Sequence, residues 1–231
     1  MTGGLLATLL ATSSTEFSPK YSLAFETGTL EHYDPHWSLI SYWQDPSVGL
    51  RFGYNISSKI ALTGSYQGVN SSGTINYGGD YDYYYDEEGN YTESYSGLGN
   101  VEAEIQENII TVGPKINFGS VRWFVPYASV QGIIVHGRLK MGDDTNEEDE
   151  ATTYFKDSAM GVGALGALGL ELRTRPVAGR VQPIMYFEYG GGITSNLNFS
   201  IPSIGVGGDD MPIGDLQYGG QHFRFGVGAQ F

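Results

Sequence analysis

The sequence predicts an all-β chain, an eight-stranded antiparallel up-and-down barrel that crosses a membrane. Three observations carry that expectation. The chain ends Phe223-Arg224-Phe225-Gly226-Val227-Gly228-Ala229-Gln230-Phe231, apolar at each odd position and polar, charged or glycine at each even one. That is the period of a strand with two unlike faces. The 231 residues include 34 Gly, 17 Tyr and 11 Phe but no Cys, a composition of many strands and turns. Finally, no run reaches the ~18 uncharged apolar residues of a membrane helix, whereas a barrel strand needs only ~9–11 residues.

Eight segments read as strands: 21–30, 47–55, 59–69, 101–118, 122–140, 154–173, 181–195 and 216–231. In the first, Leu23, Phe25 and Thr27 oppose Ala24, Glu26 and Gly28. In the second, Val48, Leu50, Phe52 and Tyr54 oppose Gly49, Arg51 and Gly53. In the fourth, Ile110, Val112, Pro114 and Ile116 oppose Thr111, Gly113, Lys115 and Asn117. The fifth is less regular, because Ile133-Ile134-Val135 interrupts the alternation and predicts a β-bulge. In the sixth, Met160, Val162, Ala164, Leu168 and Leu170 oppose Gly161, Gly163, Gly169, Glu171 and Arg173. In the seventh, Met185, Phe187 and Tyr189 oppose Tyr186, Glu188 and Gly190.

The connections alternate in length. Residues 55–59, 118–121 and 174–180 are short turns; 31–46, 70–100, 141–153 and 196–215 are long loops. Most of the 26 acidic residues fall in or beside the long loops, so the net charge of −14 gathers on one rim. Lys59, Arg122, Arg175 and Arg180 lie at the other end.

One face of every strand is thus aliphatic and aromatic, while the other is small with embedded charges. A water-soluble barrel would carry its charges outside and fill its interior with large apolar groups. That leaves the glycines unexplained. In a membrane barrel the apolar face meets lipid, and an eight-stranded lumen is only wide enough for side chains. Glycine then makes room for the long charged groups. The aromatics agree: Tyr21, Tyr54, Phe118, Trp123, Phe124 and Phe231 gather near the short turns. Tyr66, Tyr154, Phe155, Tyr189 and Tyr218 gather near the long loops. Two such girdles are expected at lipid–water boundaries.

The terminal segment His222 to Phe231, and Phe124-Val125-Pro126-Tyr127-Ala128-Ser129-Val130-Gln131-Gly132 after a short turn, carry a resemblance. From about Tyr21 to Phe231 the chain resembles the small outer-membrane β-barrels of Gram-negative bacteria, of the OmpA/OmpW type. The resemblance implies periplasmic turns and termini, extracellular long loops, and a terminal Phe that addresses the barrel-assembly machinery. Residues 20–231 are then the barrel domain. Residues 1–19, with apolar Gly3 to Ala11 but no basic start, read as a clipped secretion signal or an N-terminal segment.

Several sets of residues are candidates for function. Glu26, Glu171 and Glu188 with Arg51, Lys115, Arg173 and Arg224 share the inward face and form a candidate ion-pair network that fills the lumen. The alternative is a narrow channel for ions or small solutes, since charged rings set selectivity. Asp80, Asp82, Asp86, Glu87 and Glu88, with Asp143, Asp144 and Glu147, form a candidate surface for loosely bound Ca²⁺ or Mg²⁺, or for a partner. The run Asp80 to Gly89 departs from a calcium loop, with Tyr85 where glycine is required. Divalent ions held there could bridge to lipopolysaccharide phosphates. Tyr77, Tyr81, Tyr83, Tyr84, Tyr85, Tyr91 and Tyr95 all fall in the second loop, a composition suited to binding an extracellular or outer-membrane protein. A lipid- or peptide-modifying enzyme is a third reading, resting on Asp34, His36 and Ser38, but spacing alone does not make a triad. The expectation is therefore a non-enzymatic barrel with no cofactor, structural or interactive at the cell surface. Its strong negative charge excludes nucleic acid as a partner.

Overall fold

A computed structural model describes residues 19–32, 46–77, 80–85, 91–96, 99–120, 123–143, 155–177, 180–199, 215–216 and 218–231. The eight barrel strands are β1 (Tyr21–His32), β2 (Pro46–Asn55), β3 (Ile60–Tyr77), β6 (Gly99–Asn117), β7 (Phe124–Asp143), β8 (Phe155–Arg173), β9 (Gln182–Thr194) and β12 (Tyr218–Gln230). Two small ribbons complete the set: β4 (Asp80–Tyr85) with β5 (Tyr91–Ser96), and β10 (Leu197–Asn198) with β11 (Asp215–Leu216). The barrel closes in the order β1-β12-β9-β8-β7-β6-β3-β2, with every neighbour antiparallel. The last strand seals against the first, Ser22 opposite Gln230 and Phe25 opposite Val227.

The alternation sorts as the sequence predicts. Phe25, Phe52, Val112, Val130, Val162 and Leu168 stand on the outside, Phe25 at 72 % exposure. Their neighbours Glu26, Arg51, Thr111, Gln131 and Glu171 are buried within. An outer wall of exposed aliphatic and aromatic groups on a closed sheet belongs in lipid, not water. Tyr21, Tyr54, Phe118, Trp123 and Phe231 ring its short-turn end, and Tyr66 and Tyr189 mark the other. The two upper tyrosines point their hydroxyls at polar neighbours, Tyr66 donating to Asn108 at 2.5 Å and Tyr189 to Gln221 at 2.7 Å. An apolar body with a wet tip suits a lipid–water boundary.

Two expectations are corrected. There is no bulge at Ile133–Val135: pairing runs without a shift from Phe124↔Leu172 to Met141↔Phe155, and residues 133–135 pair in step with β6. Ile133 and Val135 are instead buried inside the barrel, with Ile134 outside. The described irregularity is elsewhere, between Leu30 and His32 of β1. Nor is 70–100 only a loop. β3 and β6 stay paired to Tyr77↔Gly99, and β4 and β5 form a ribbon in register from Asp80↔Ser96 to Tyr85↔Tyr91.

The barrel is lopsided in consequence. β3, β6, β7 and β8 have 18, 19, 20 and 19 residues, against 12, 10, 13 and 13 for β1, β2, β9 and β12. Since ~9–11 residues cross a bilayer, the long four continue above it as a wall. The 1–18 segment, Asp34, His36 and Ser38, and Asp86, Glu87, Glu88, Asp144 and Glu147 lie outside the described residues.

Candidate functional site

The inward positions of the barrel form two tiers. The lower one is polar and centres on two carboxylates. Strand parity aims Glu188 of β9 into the lumen, directly beside Arg224 of β12. Glu188 is 1 % exposed and accepts hydrogen bonds from Arg51 at 3.0 Å, Tyr127 at 3.2 Å, Ser129 at 3.3 Å and Arg224 at 3.4 Å. His222, also buried, has its Nε2 3.8 Å from the same carboxylate. Arg224 donates to Gln131 at 3.0 Å, and Gln131 donates to Thr63 at 3.1 Å, carrying the network across the lumen.

Glu171 of β8 is the second centre. It accepts from Lys115 at 2.6 Å, Arg173 at 2.6 Å and Gln230 at 2.9 Å. Glu26 of β1 differs: the donors described for it are neutral, Gln67 at 2.6 Å and the Tyr186 hydroxyl. Arg51 lies 4.7 Å over the Tyr186 ring, and Lys115 4.8 Å over the Tyr127 ring. Each cation therefore meets both a carboxylate and an aromatic face, which partly compensates its removal from water.

Glycine makes this packing possible. A Cβ on Gly226 would fall inside the ring of Tyr186, its neighbour's side chain across β9 and β12, and one on Gly169 inside the ring of Tyr127. The two tyrosines lie flat over bare backbone and so reach the carboxylates near the barrel axis.

Of the seven candidate lumen residues, the geometry joins Glu188 with Arg51 and Arg224, and Glu171 with Lys115 and Arg173. Glu26 has no direct cation among the described residues. The candidate set left out Tyr127, Ser129, Gln131, Tyr186, His222 and Gln230. Each stands at the inward parity of its strand, and that parity was the available signal.

The upper tier is largely apolar, contrary to the expected polar inward face, with Glu107 buried between Ile105 and Ile109 of β6. Ile105 and Ile109 of β6, Ile133, Val135 and Leu139 of β7 and Leu165 of β8 are all buried inside. The chain leaving β9 folds back over them. Ser195 pairs with Val162 through backbone and side chain, and Leu197 and Phe199, 0 % and 4 % exposed, then turn into the mouth. Gly137 and Gly161 supply the floor: a Cβ on Gly137 would meet Phe199 at 3.2 Å, and one on Gly161 would meet Leu197 at 3.5 Å.

Above the lipid band, Glu104 on the outer face accepts from Gln106 at 3.0 Å and from Lys140 at 3.3 Å. These two hydrogen bonds hold its carboxyl below the usual range. Among the candidate loop acids, Asp80 and Asp82 lie in β4 and Asp143 ends β7. Among the described residues no group of three His, Cys, Asp or Glu stands together as a metal site.

No family model and no curated protein matches the chain. Solved structures to which it is similar include Ail, the attachment invasion locus protein of Yersinia pestis, in complex with the heparin analogue sucrose octasulfate (11 % identity, TM-score 0.44, covering 92 % of this chain and 97 % of that one). Another is the outer membrane protein OprG from Pseudomonas aeruginosa (12 % identity, TM-score 0.49, 93 % and 96 %). A third is the N-terminal β-barrel domain of OprF from the same organism (13 % identity, TM-score 0.35, 93 % and 100 %). These likenesses say nothing of residues or activity. In architecture the chain is similar to the small eight-stranded outer-membrane barrels.

Proposed function

We propose that this chain is a non-conducting, non-enzymatic barrel of the bacterial outer membrane, with short turns and termini in the periplasm. It serves as a rigid stem that presents acidic, tyrosine-rich loops outside the cell. The observation that carries the reading is the filled interior. Glu188 and Glu171 each gather two cations and further donors, and the apolar tier with Leu197 and Phe199 lies above them. A conducting lumen of this width would need a continuous wet path. An interior of paired charges below and a largely aliphatic tier above, covered by Leu197 and Phe199, offers none.

What the loops engage is a protein partner of the cell surface. Six tyrosines are interspersed with acids and small polar residues along β4 and β5, in a ribbon standing apart from the barrel sheet. Loosely held Ca²⁺ or Mg²⁺ at Asp80, Asp82 and Asp143 would complement the acidic rim but is not needed for the fold.

Planar-bilayer recording of the purified, folded chain tests the reading. The expected trace is flat. Steady conductance that changes with Arg224→Ala would replace the stem by a channel.

A further inference from the structure

Above the lipid band the outer face of β7 and β8 turns basic. Outward positions on β7 stay apolar or small from Phe124 to Ile134, then become His136, Arg138 and Lys140. On β8 they run apolar or small up to Met160 and then become Ser158 and Lys156. The register sets Lys140 directly opposite Lys156, and Arg138 between Gln106 and Ser158. Like charges facing each other across a strand pair repel. Of the acids on β6 beside them, Glu104 is held by Lys140 at 3.3 Å. Arg138, Lys140 and Lys156 thus gather three of the 12 bases of a chain whose net charge is −14.

The height of this patch suggests its partner. Arg138 stands two residues beyond His136, the partner of Met160; at ~3.4 Å per residue and a tilt of ~40°, that is about 5 Å above the last outward apolar side chain of the pair, with Lys140 and Lys156 a further ~5 Å up. Lipid phosphates and their first sugars occupy that layer on the long-loop side. Lysine and arginine stems are long enough to bend down toward it.

We propose that Arg138, Lys140 and Lys156 form a docking site for the phosphate groups of lipopolysaccharide, binding them directly and without a bridging metal. The inference rests on the reading that the long loops face out of an outer membrane. A phosphate set between Lys140 and Lys156 removes their repulsion, and Arg138 offers a planar fork to a second oxygen pair.

The test uses the full chain folded in non-ionic detergent, with diphosphorylated lipid A as probe and native mass spectrometry counting retained lipid. The wild type should retain it. The triple variant Arg138→Gln/Lys140→Gln/Lys156→Gln should bind at least ten-fold more weakly. Lys20→Gln/Lys59→Gln, at the opposite rim, should bind as the wild type does. Lipid A stripped of its phosphates should bind the wild type no better than diphosphorylated lipid A binds the triple variant. Equal retention by the triple variant, or of the stripped lipid, overturns the proposal. Displacement of the lipid by an equal concentration of inorganic phosphate overturns it as well, since the site would then be for a free anion. All three substituted side chains are on the outer surface, so folding is checked simply by mobility on an unboiled gel. Binding in micelles depends neither on cellular orientation nor on conductance, so failure here and failure of the stem reading are separate results.

Discussion

At the scale of single residues, the interior is decided by where a side chain is missing. Gly226 and Gly169 lie under the rings of Tyr186 and Tyr127, while Gly68 and Gly166, on the outer wall, have nothing within 4 Å of an added Cβ. Backbone conformation does not separate the two pairs, because the positive-φ glycines are Gly119 and Gly220. Gly226→Ala and Gly169→Ala should therefore each destabilise by ~1–3 kcal/mol, the usual cost of overpacking a tight interior. Gly68→Ala and Gly166→Ala should lie within about 0.5 kcal/mol of wild type. Urea unfolding in lipid vesicles, followed by tryptophan fluorescence, measures all four. Equal losses at inner and outer sites would show that chain entropy, not the tyrosine rings, governs these positions. Glu188→Gln is the harsher change. It leaves Arg51 and Arg224 facing a neutral group in a closed space, at a cost of ~3–5 kcal/mol by the precedent of broken buried pairs. Glu104→Gln, on the wet outer face, should cost almost nothing.

Individual elements show how far period-two reading reaches. Alternation fixes parity along a strand, and parity was enough to place Glu26, Arg51, Lys115, Glu171, Glu188 and Arg224 inside. It says nothing about height. Ile133, Ile134 and Val135 read as a break because a strand with apolar groups on both faces has no alternation to show. Its inward members belong to a second, aliphatic tier that begins where the charged one ends. The extra length of β3 and β6 was hidden differently: Asn70 to Thr74 is polar or glycine throughout, and a polar run reads as loop even when its backbone is paired. Hardest of all was the return of Leu197 and Phe199 into the mouth. Their partners, Gly137 and Gly161, are dozens of residues away and carry no side chain to signal the contact. The element-scale prediction concerns this return. Leu197→Ala should cost ~2–4 kcal/mol, as a fully buried leucine whose neighbours cannot collapse into the gap. Asn198→Ala, on the exposed side of the same turn, should cost little. Similar losses from both would mean that the segment is held by its backbone and not by the apolar tier.

At the scale of the whole molecule, the two tiers act as seals in series, and that arrangement makes a stricter prediction than a single plug would. Removing the charges alone, with Glu188→Ala, Arg51→Ala and Arg224→Ala together, deletes one anion and two cations and opens room for water up to Gln131. The aliphatic groups above remain, and a constriction of that kind stays dry. Thinning the upper tier alone, with Ile109→Ala, Leu197→Ala and Phe199→Ala, leaves the cations bridged across the lumen by Glu188. Neither triple variant should conduct, although both should be less stable than wild type. Conductance should emerge only when the six substitutions are combined. Its selectivity should then favour cations, because Lys115 and Arg173 are balanced by Glu171 and Glu26, and the buried Glu107 leaves the remaining inward charges net negative. Recordings in planar bilayers, on protein whose unboiled gel mobility shows a closed barrel, decide the matter. Current from the upper-tier variant alone would mean that the charged tier is already a wet path with an apolar gate. Current from the lower-tier variant alone would assign the seal to the ion pairs. A flat trace in both, followed by current in the combination, is what two independent seals require.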